Sequence, residues 1–264
     1  MNKPIFSIIT ISFNSEKTIE RTIKSVLEQT YKDFEYIIVD GASKDGTLDI
    51  VKKYEPLFEG RMKWKSEPDK GIYDAMNKGI RMATGDIIGI VNSDDWLETD
   101  AVNKVAEAIE KNDRDMNSLY CGDIVFHYNS GEQKRMDANI PLFEKNAPLW
   151  IMNGIRHPAT FVPRNVYDKI GLFNDKMKLS ADQDFILRCY FQGVQFCHVN
   201  EVLSNMSAGG FSTDNTKASL EASIHDRKIM LEENNIHGLK RLWLWYTWRL
   251  MVVISRLSKK FKND

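Results

Sequence analysis

The chain is poor in cysteine. Its 264 residues hold three, Cys121, Cys189 and Cys197, without the spacing of a metal-ligand set. So sparse and odd a set excludes a disulfide framework and reads as reduced thiols in a cytosolic protein. Charge of one sign is missing too. The 36 basic and 37 acidic side chains leave a formal net charge of -1, so no global field argues for nucleic acid. The apolar stretch after Lys3 is short, holds Ser7, Thr10 and Ser12, and precedes no small-residue cleavage site. It reads as a first strand rather than a signal peptide. Asn205-Met206-Ser207 has the form of a glycosylation acceptor, which a cytosolic chain would not use. Internal repeats and low-complexity segments are absent.

Phosphate-cradling glycine loops are lacking as well. Gly41 to Thr47 has the glycine spacing of a P-loop but no lysine before Thr47, and no GxGxxG follows the first strand. Gly41 and Gly46 therefore read as a turn.

Alternation of strand and helix is what the first half does have. Residues 5–11, 36–39 and 87–91 are apolar or β-branched runs that predict strands, the first two buried on both faces, and 62–66 reads as a short third strand between them. Asn14 and Ser15 offer caps for a helix of roughly four turns through Ile19, Ile23, Val26 and Leu27. A second helix runs through Leu48, Ile50 and Val51 and ends near Pro56. Ala75, Gly79 and Ala83 give a third helix a small-residue face that can lie close to a sheet, with Gly85 as its C′ glycine. Val102, Val105, Ala106 and Ile109 mark a fourth. This order predicts a mostly parallel, doubly wound sheet with helices on both faces. Residues 119–128 and 159–163 then read as strands without regular crossovers, and 182–192 as a helix, fused to the same sheet.

In open α/β sheets, ligands bind beyond the carboxyl ends of the strands. Here those ends are polar: Thr10, Ser12 and Asn14; Asp40, Gly41, Ser43 and Asp45; Glu67, Asp69 and Lys70; Asn92, Ser93, Asp94 and Asp95. Carboxylates gathered in one cleft disfavour one another's charge, and a divalent cation relieves this. Oxygen ligands suit Mn2+ or Mg2+. The competing reading of Asp94-Asp95 is a helix N-terminus enriched in acids.

Three runs, SIITISFN, KSVLEQTYKDFEYIIVDGASKDGT and GDIIGIVNSDDWL, resemble glycosyltransferase family 2 enzymes of the GT-A fold. The similarity continues through EPDKGIYDAMNKGI, HPATFV, IGLFN, SADQDFILR and GGFS, covering residues 5 to about 212. It implies a GT-A domain over 1–212 and leaves 213–264 as a basic, aromatic-rich helical extension. It implies that Ser12 and Asn14 lie beside the nucleotide and that Asp40 accepts a hydrogen bond from the base. Asp69, Lys70, Gly71 and Asp74 would line the ribose and diphosphate. Asn92-Ser93-Asp94-Asp95 stands in the family's DxD region with Asn92 in place of its first acid, so metal coordination falls on Asp94 or Asp95. Asp182 matches the base of an inverting transfer, with Ala181 where many relatives carry Glu; its alternative is a helix cap. Asp184 is expected to orient the site, pairing with Arg188, or to meet substrate. His157 is either a structural histidine or a diphosphate or acceptor contact. Gly209-Gly210-Phe211-Ser212 reads as a loop over the donor.

The implied partners are a nucleotide-sugar, most simply UDP-linked, and a glycan or lipid-linked saccharide acceptor, with no nucleic acid. Residues 239–262 cluster Trp243, Trp245, Tyr246 and Trp248 among lysines and arginines. Too short and too interrupted to span a bilayer, this segment fits a helix lying at the inner face of a membrane, or one packed on the core or on a second subunit of a homodimer. Two other functions compete. A sugar-phosphate nucleotidyltransferase would need a glycine- and basic-rich loop where SFNSEK stands. A non-catalytic binding module would have no reason to keep Asp40, Asp94, Asp95 and Asp182 together.

Overall fold

A computed structural model describes residues 5–140, 154–209 and 216–234, together with Gly238 and Tyr246. The first half alternates as expected: β1 (Phe6–Ser12), α1 (Ile19–Leu27), β2 (Phe34–Asp40), α2 (Thr47–Tyr54), β3 (Met62–Ser66), α3 (Ile72–Met82) and β4 (Ile87–Ile90). Next come β5 (Trp96–Leu97), α4 (Ala101–Lys111), β6 (Ser118–His127) and β7 (Gln133–Met136). The remainder is β8 (Thr160–Pro163), α5 (Arg164–Ile170), α6 (Ala181–Phe191), β9 (Gln195–Ser207) and α7 (Lys217–Glu233).

Among the described residues, nine strands join one sheet in the order β3-β2-β1-β4-β8-β6-β9-β5, with β7 beside β6. Pairings among β3, β2, β1 and β4 are parallel, as is β6 with β9. β8 runs antiparallel to both β4 and β6, which leaves β6 and β9 pointing the same way as β1. The carboxyl ends of β1–β4, β6 and β9 therefore share one edge, and the start of β8 lies on it too. The sheet is mixed but mainly parallel, and the second half does extend it.

Side chains alternate along the strands to feed two cores. Ile9, Ile11, Ile37 and Val39 pack on the face that carries α3, α5, α6 and α7. Phe6, Ile8, Tyr36 and Ile38 pack on the opposite face with α1, α2 and α4. Gly79 lets α3 approach closely: a Cβ there would lie 2.5 Å from the Ile9 side chain. Gly79→Ala should therefore overpack this contact and cost about 1–3 kcal/mol; denaturant unfolding with an unchanged midpoint would contradict that packing.

Several boundaries differ from expectation. α1 has nine residues, short of four turns, and its N-cap is Thr18 rather than Asn14 or Ser15. Those two residues are spent on cross-strand bonds instead. Gly85 is not a C′ glycine, because α3 ends at Met82 with Ala83 extended. Its role is proximity: a Cβ there would meet the Ile5 carbonyl at 2.7 Å. Beside it Glu35 gathers the Ser7 hydroxyl at 2.6 Å, the Lys63 ammonium at 2.8 Å and the Thr84 amide. Burial would raise its pKa, but these donors hold Glu35 down to about 2. β5, β7, β9 and α5 had no sequence counterpart, whereas α7 falls within the helical extension expected over 213–264. Asn205, of the apparent glycosylation acceptor, is buried in β9. Residues 210–212 and the segment 239–262, apart from Tyr246, lie outside the described residues. Among those described, no helix is long and apolar enough to cross a membrane.

Candidate active site

The polar strand ends do come together. The Ser15 hydroxyl, past β1, lies 2.8 Å from the Ser93 hydroxyl, past β4. Asn14 adopts a positive φ of 48°, and its Oδ1 accepts the Lys44 amide while its own N–H donates to Ser43 Oγ. At Gly41 an added Cβ would lie 2.8 Å from Asp69 Oδ2 and 3.2 Å from the Phe13 ring. The ends of β1, β2 and β3 thus close on one floor, over which Phe13 stands 63% exposed.

Asp40 organises that floor. Fully buried, it accepts from Ser12 Oγ at 3.1 Å, from Ser43 N at 2.9 Å and Oγ at 2.5 Å, and from Ser66 Oγ at 2.7 Å. Four donors fill the acceptor capacity of a carboxylate. Asp45 is likewise used locally, accepting from Glu16 N and from the amide and hydroxyl of Thr47. Residues 41–46 form an irregular loop that turns at Gly46 into α2, which starts at Thr47.

The crevice carboxylates divide into two groups, which sequence alone did not separate. Glu67, Asp69 and Asp74 converge on Lys78, whose ammonium stands 3.4, 2.6 and 3.3 Å from them. Burial opposes its charge, but its hydrogen bonds to Asp69 and Asp74, and their charges, push Lys78 up to about 12. The Lys70 amide donates to Asp74 Oδ2, while the Lys70 side chain is exposed. One ammonium does not cancel three carboxylates, but each acid has a cationic partner within the protein, and Lys65 meets Glu67 as well at 2.8 Å.

Asp94 and Asp95 lack such a partner. Burial, reinforced by the charge of Asp94, pushes Asp95 up to about 7. Burial also raises Asp94, against the pull of Arg21. Arg21 stacks on Trp96, 3.6 Å from the ring centre, and donates to the Asp94 carbonyl and the Ser207 hydroxyl. Its guanidinium only partly offsets two acids. Asp95 is 1% exposed, with Oδ1 accepting Ser207 N and Oδ2 accepting the Asn92 amide. Among the described residues, Asn92 Oδ1, buried beside them, has no partner. A buried orphan acceptor next to two strained carboxylates suits a donor or cation brought by a ligand. Among the described residues, no three His, Cys, Asp or Glu converge on a metal position. A cation here would take one or two carboxylates and complete its shell with phosphate and water, as Mn2+ and Mg2+ accept.

An acid whose pKa is raised by folding holds a proton that the unfolded chain has released. Asp95 therefore withdraws stability as pH climbs from about 4 to about 7. A bound cation should abolish that loss. The gain in Tm from Mn2+ over chelator should thus be larger at about pH 8 than at about pH 5; melts showing no pH dependence in that gain would contradict it.

Asp182 sits half-buried in the first turn of α6. The N-cap is Ser180, so the cap reading of Asp182 fails on position. Among the described residues it accepts one hydrogen bond, from Tyr73 Oη at 3.1 Å. Tyr73, at the start of α3, was not singled out from sequence, although an aromatic one turn past a polar strand end was the available signal. Asp184, considered as a substrate contact, is buried with Oδ2 on Arg188 and Oδ1 on Asn234, both at 2.9 Å. Its role is internal, and the Arg188 pairing is the one its spacing suggests. His157 is half-buried at the rim, its ring edge-on to Phe173 at 5.9 Å. Burial lowers its pKa, opposed by the charge of Asp182. Within the run KSVLEQTYKDFE, Gln29 and Thr30 are structural: Gln29 bridges Ser25, Glu98 and Val102, and the Thr30 amide donates to Thr99.

Comparison with known proteins agrees with this geometry. Residues 7–171 match the family model described as Glycosyl transferase family 2. A PGL/p-HBAD biosynthesis glycosyltransferase of Mycobacterium bovis (strain BCG / Pasteur 1173P2) is 34% identical over 192 residues, 72% of this chain and 71% of that one. Chondroitin synthase of Escherichia coli is 28% identical over 244 residues, 90% of this chain and 34% of that one. The crystal structure of S. aureus TarS 1-349 in complex with UDP-GlcNAc matches with a TM-score of 0.71 at 20% identity, covering 91% of this chain and 69% of that one. Mannosyltransferase PcManGT from Pyrobaculum calidifontis, in complex with GDP-Man and Mn2+, matches at 0.61 with 16% identity, covering 96% and 81%. The chain spans 41% of the longer S. aureus TarS chain. The family match over more than half the chain and the mycobacterial identity lead to one conclusion: this is a member of glycosyltransferase family 2, a glycosyltransferase on the GT-A fold.

Proposed function

We propose that the chain moves a sugar from a UDP-linked donor to a hydroxyl of a glycan or lipid-linked acceptor, with inversion and with help from Mn2+ or Mg2+. The observation that carries this reading is the contrast between two kinds of carboxylate. Asp40, Asp69 and Asp74 are tied to protein donors, whereas Asp94 and Asp182 are half-buried and open. An open acid beside an orphaned amide oxygen suits the diphosphate and its cation. An open acid held by a single tyrosine suits proton transfer.

In this reading the base of the nucleotide lies against the exposed face of Phe13, which offers a stacking surface. It reaches Asp40 by replacing the Ser12 hydroxyl, the longest of that residue's four contacts. Ser12, Asn14 and Ser93 line the nucleotide, and Lys70 is free to meet a phosphate. Asp94 holds the cation, because the oxygens of Asp95 are already engaged by Ser207 and Asn92. A bound cation would offset the charge that develops on the leaving diphosphate. Asp182 takes the proton of the acceptor hydroxyl as its oxygen bonds the anomeric carbon. The bond from that carbon to the diphosphate breaks, and UDP leaves with the electron pair. Tyr73 holds the Asp182 carboxylate in place. UDP-GlcNAc in the TarS complex and Mn2+ in the PcManGT complex support the donor and the cation.

The test is a screen of UDP- and GDP-sugars for binding and slow hydrolysis, in Mn2+ and in chelator. One UDP-sugar turning over in Mn2+ alone is expected; preference for a GDP-sugar, or equal behaviour in chelator, would revise the donor or the metal.

A further inference from the structure

The helix that carries Asp182 begins without a cap of its own. Ser180 is its N-cap residue, yet the Ser180 side chain makes no capping bond. What α7 supplies, from far along the chain, is an acceptor for the three amides that lead into the helix. Asp226 is fully buried. Its Oδ1 accepts the Lys178 amide at 2.9 Å, and its Oδ2 accepts the amides of Leu179 at 2.6 Å and Ser180 at 2.9 Å. Charge-assisted bonds from three consecutive amides fix the path of the chain into the helix. Asp182 follows two residues later.

Neighbours on α7 grip the same turn. Arg227 donates to Gln183 Oε1 at 2.7 Å, and Asn234, just past the helix, donates to Asp184. Glu233 accepts from Asn174 and Lys176 on the approach to the turn. Met230 and Leu231 anchor α7 in the core beneath. Residues on both sides of Asp182 are thus held by an element outside the stretch that matches the family model. A buried carboxylate is costly unless it is paired, and here the amides, buried Arg227 and His225 Nδ1 at 3.2 Å face it. A hydrophobic α7 could anchor the helix without any charge; the carboxylate aims at the amides that set the direction of the first turn.

We infer that Asp226 is a positioning residue for the reaction: it fixes the first turn of α6 so that the Asp182 carboxylate meets the acceptor hydroxyl at the right distance and angle. The inference rests on the reading of Asp182 as the base. Misplacement of a catalytic group by about 1 Å can cost roughly a hundredfold in rate.

The experiment follows hydrolysis of UDP-GlcNAc, or whichever screened UDP-sugar turns over, in Mn2+ with water as acceptor. It compares wild type, Asp226→Asn, Asp182→Asn and the double variant, with UDP affinity measured alongside. Asp226→Asn should lower turnover roughly ten- to a hundredfold while UDP affinity holds. The double variant should be no slower than Asp182→Asn alone, since Asp226 acts through a base that is already gone. Multiplied losses in the double variant, or UDP affinity falling in step with turnover, would reduce Asp226 to a structural residue. Wild-type turnover in Asp226→Asn with Asp182→Asn inactive sinks this inference and leaves the base in place. Wild-type turnover in Asp182→Asn removes the base and this inference together. If Asp226→Asn does not accumulate folded, Asp226→Glu, which keeps the charge but shifts it by one methylene, should show the same split.

Discussion

Asp182→Asn should lose turnover by about 10²–10⁴-fold while keeping its donor affinity and its fold. Asparagine matches aspartate in size, and its amide oxygen can still accept from Tyr73. What it cannot do is take a proton. The loss should therefore appear in kcat rather than in UDP affinity. Were Asp182 only an acid in the first turn of a helix, its removal would cost about 0.3–1 kcal/mol of stability through the helix dipole and leave catalysis alone. Turnover near wild type would assign the base elsewhere. Loss of UDP binding would instead make Asp182 part of the donor site.

The second large effect is expected at the acidic pair. Asp94→Asn should weaken UDP binding in Mn2+ roughly tenfold or more, about 1.4 kcal/mol, and leave binding in chelator unchanged. Asp95→Asn should behave differently. Asp95 is 1% exposed and engaged on both oxygens, so it shapes the site rather than meeting the cation. An amide there can still accept from Ser207, and Asn92, whose Oδ1 has no partner among the described residues, can turn to accept from it. Calorimetry should thus show metal dependence lost in the first variant and kept in the second. The reverse order would exchange their roles.

Much of this site was legible because parallel strands announce it. Their apolar runs end in polar residues at the same edge, so Ser12, Asp40, Asp69 and Asp94 could be placed together before any coordinates. The third strand, 62–66, came out with its observed bounds. Partnerships across the chain were not legible. Lys78 answers three acids through the geometry of a helix turn over a loop, and nothing in its spacing separates it from a solvated lysine. Tyr73 meets Asp182 across 109 positions, and Asp226 meets the 178–180 amides across 46 to 48. β9 escaped because a strand half exposed along its length carries His198, Asn200 and Glu201 instead of an apolar run. α1 was drawn too long because residues 14–18 look like a helix start, whereas the crevice uses them to bind strand ends together.

Proton NMR of donor hydrolysis tests the central claim most directly. With an α-linked UDP-sugar and Mn2+, the first sugar released should be the β-anomer, formed by single displacement at the anomeric carbon. Its release should stop in chelator and in Asp182→Asn. An α-anomer appearing first, or release that continues unchanged without metal, would contradict the account.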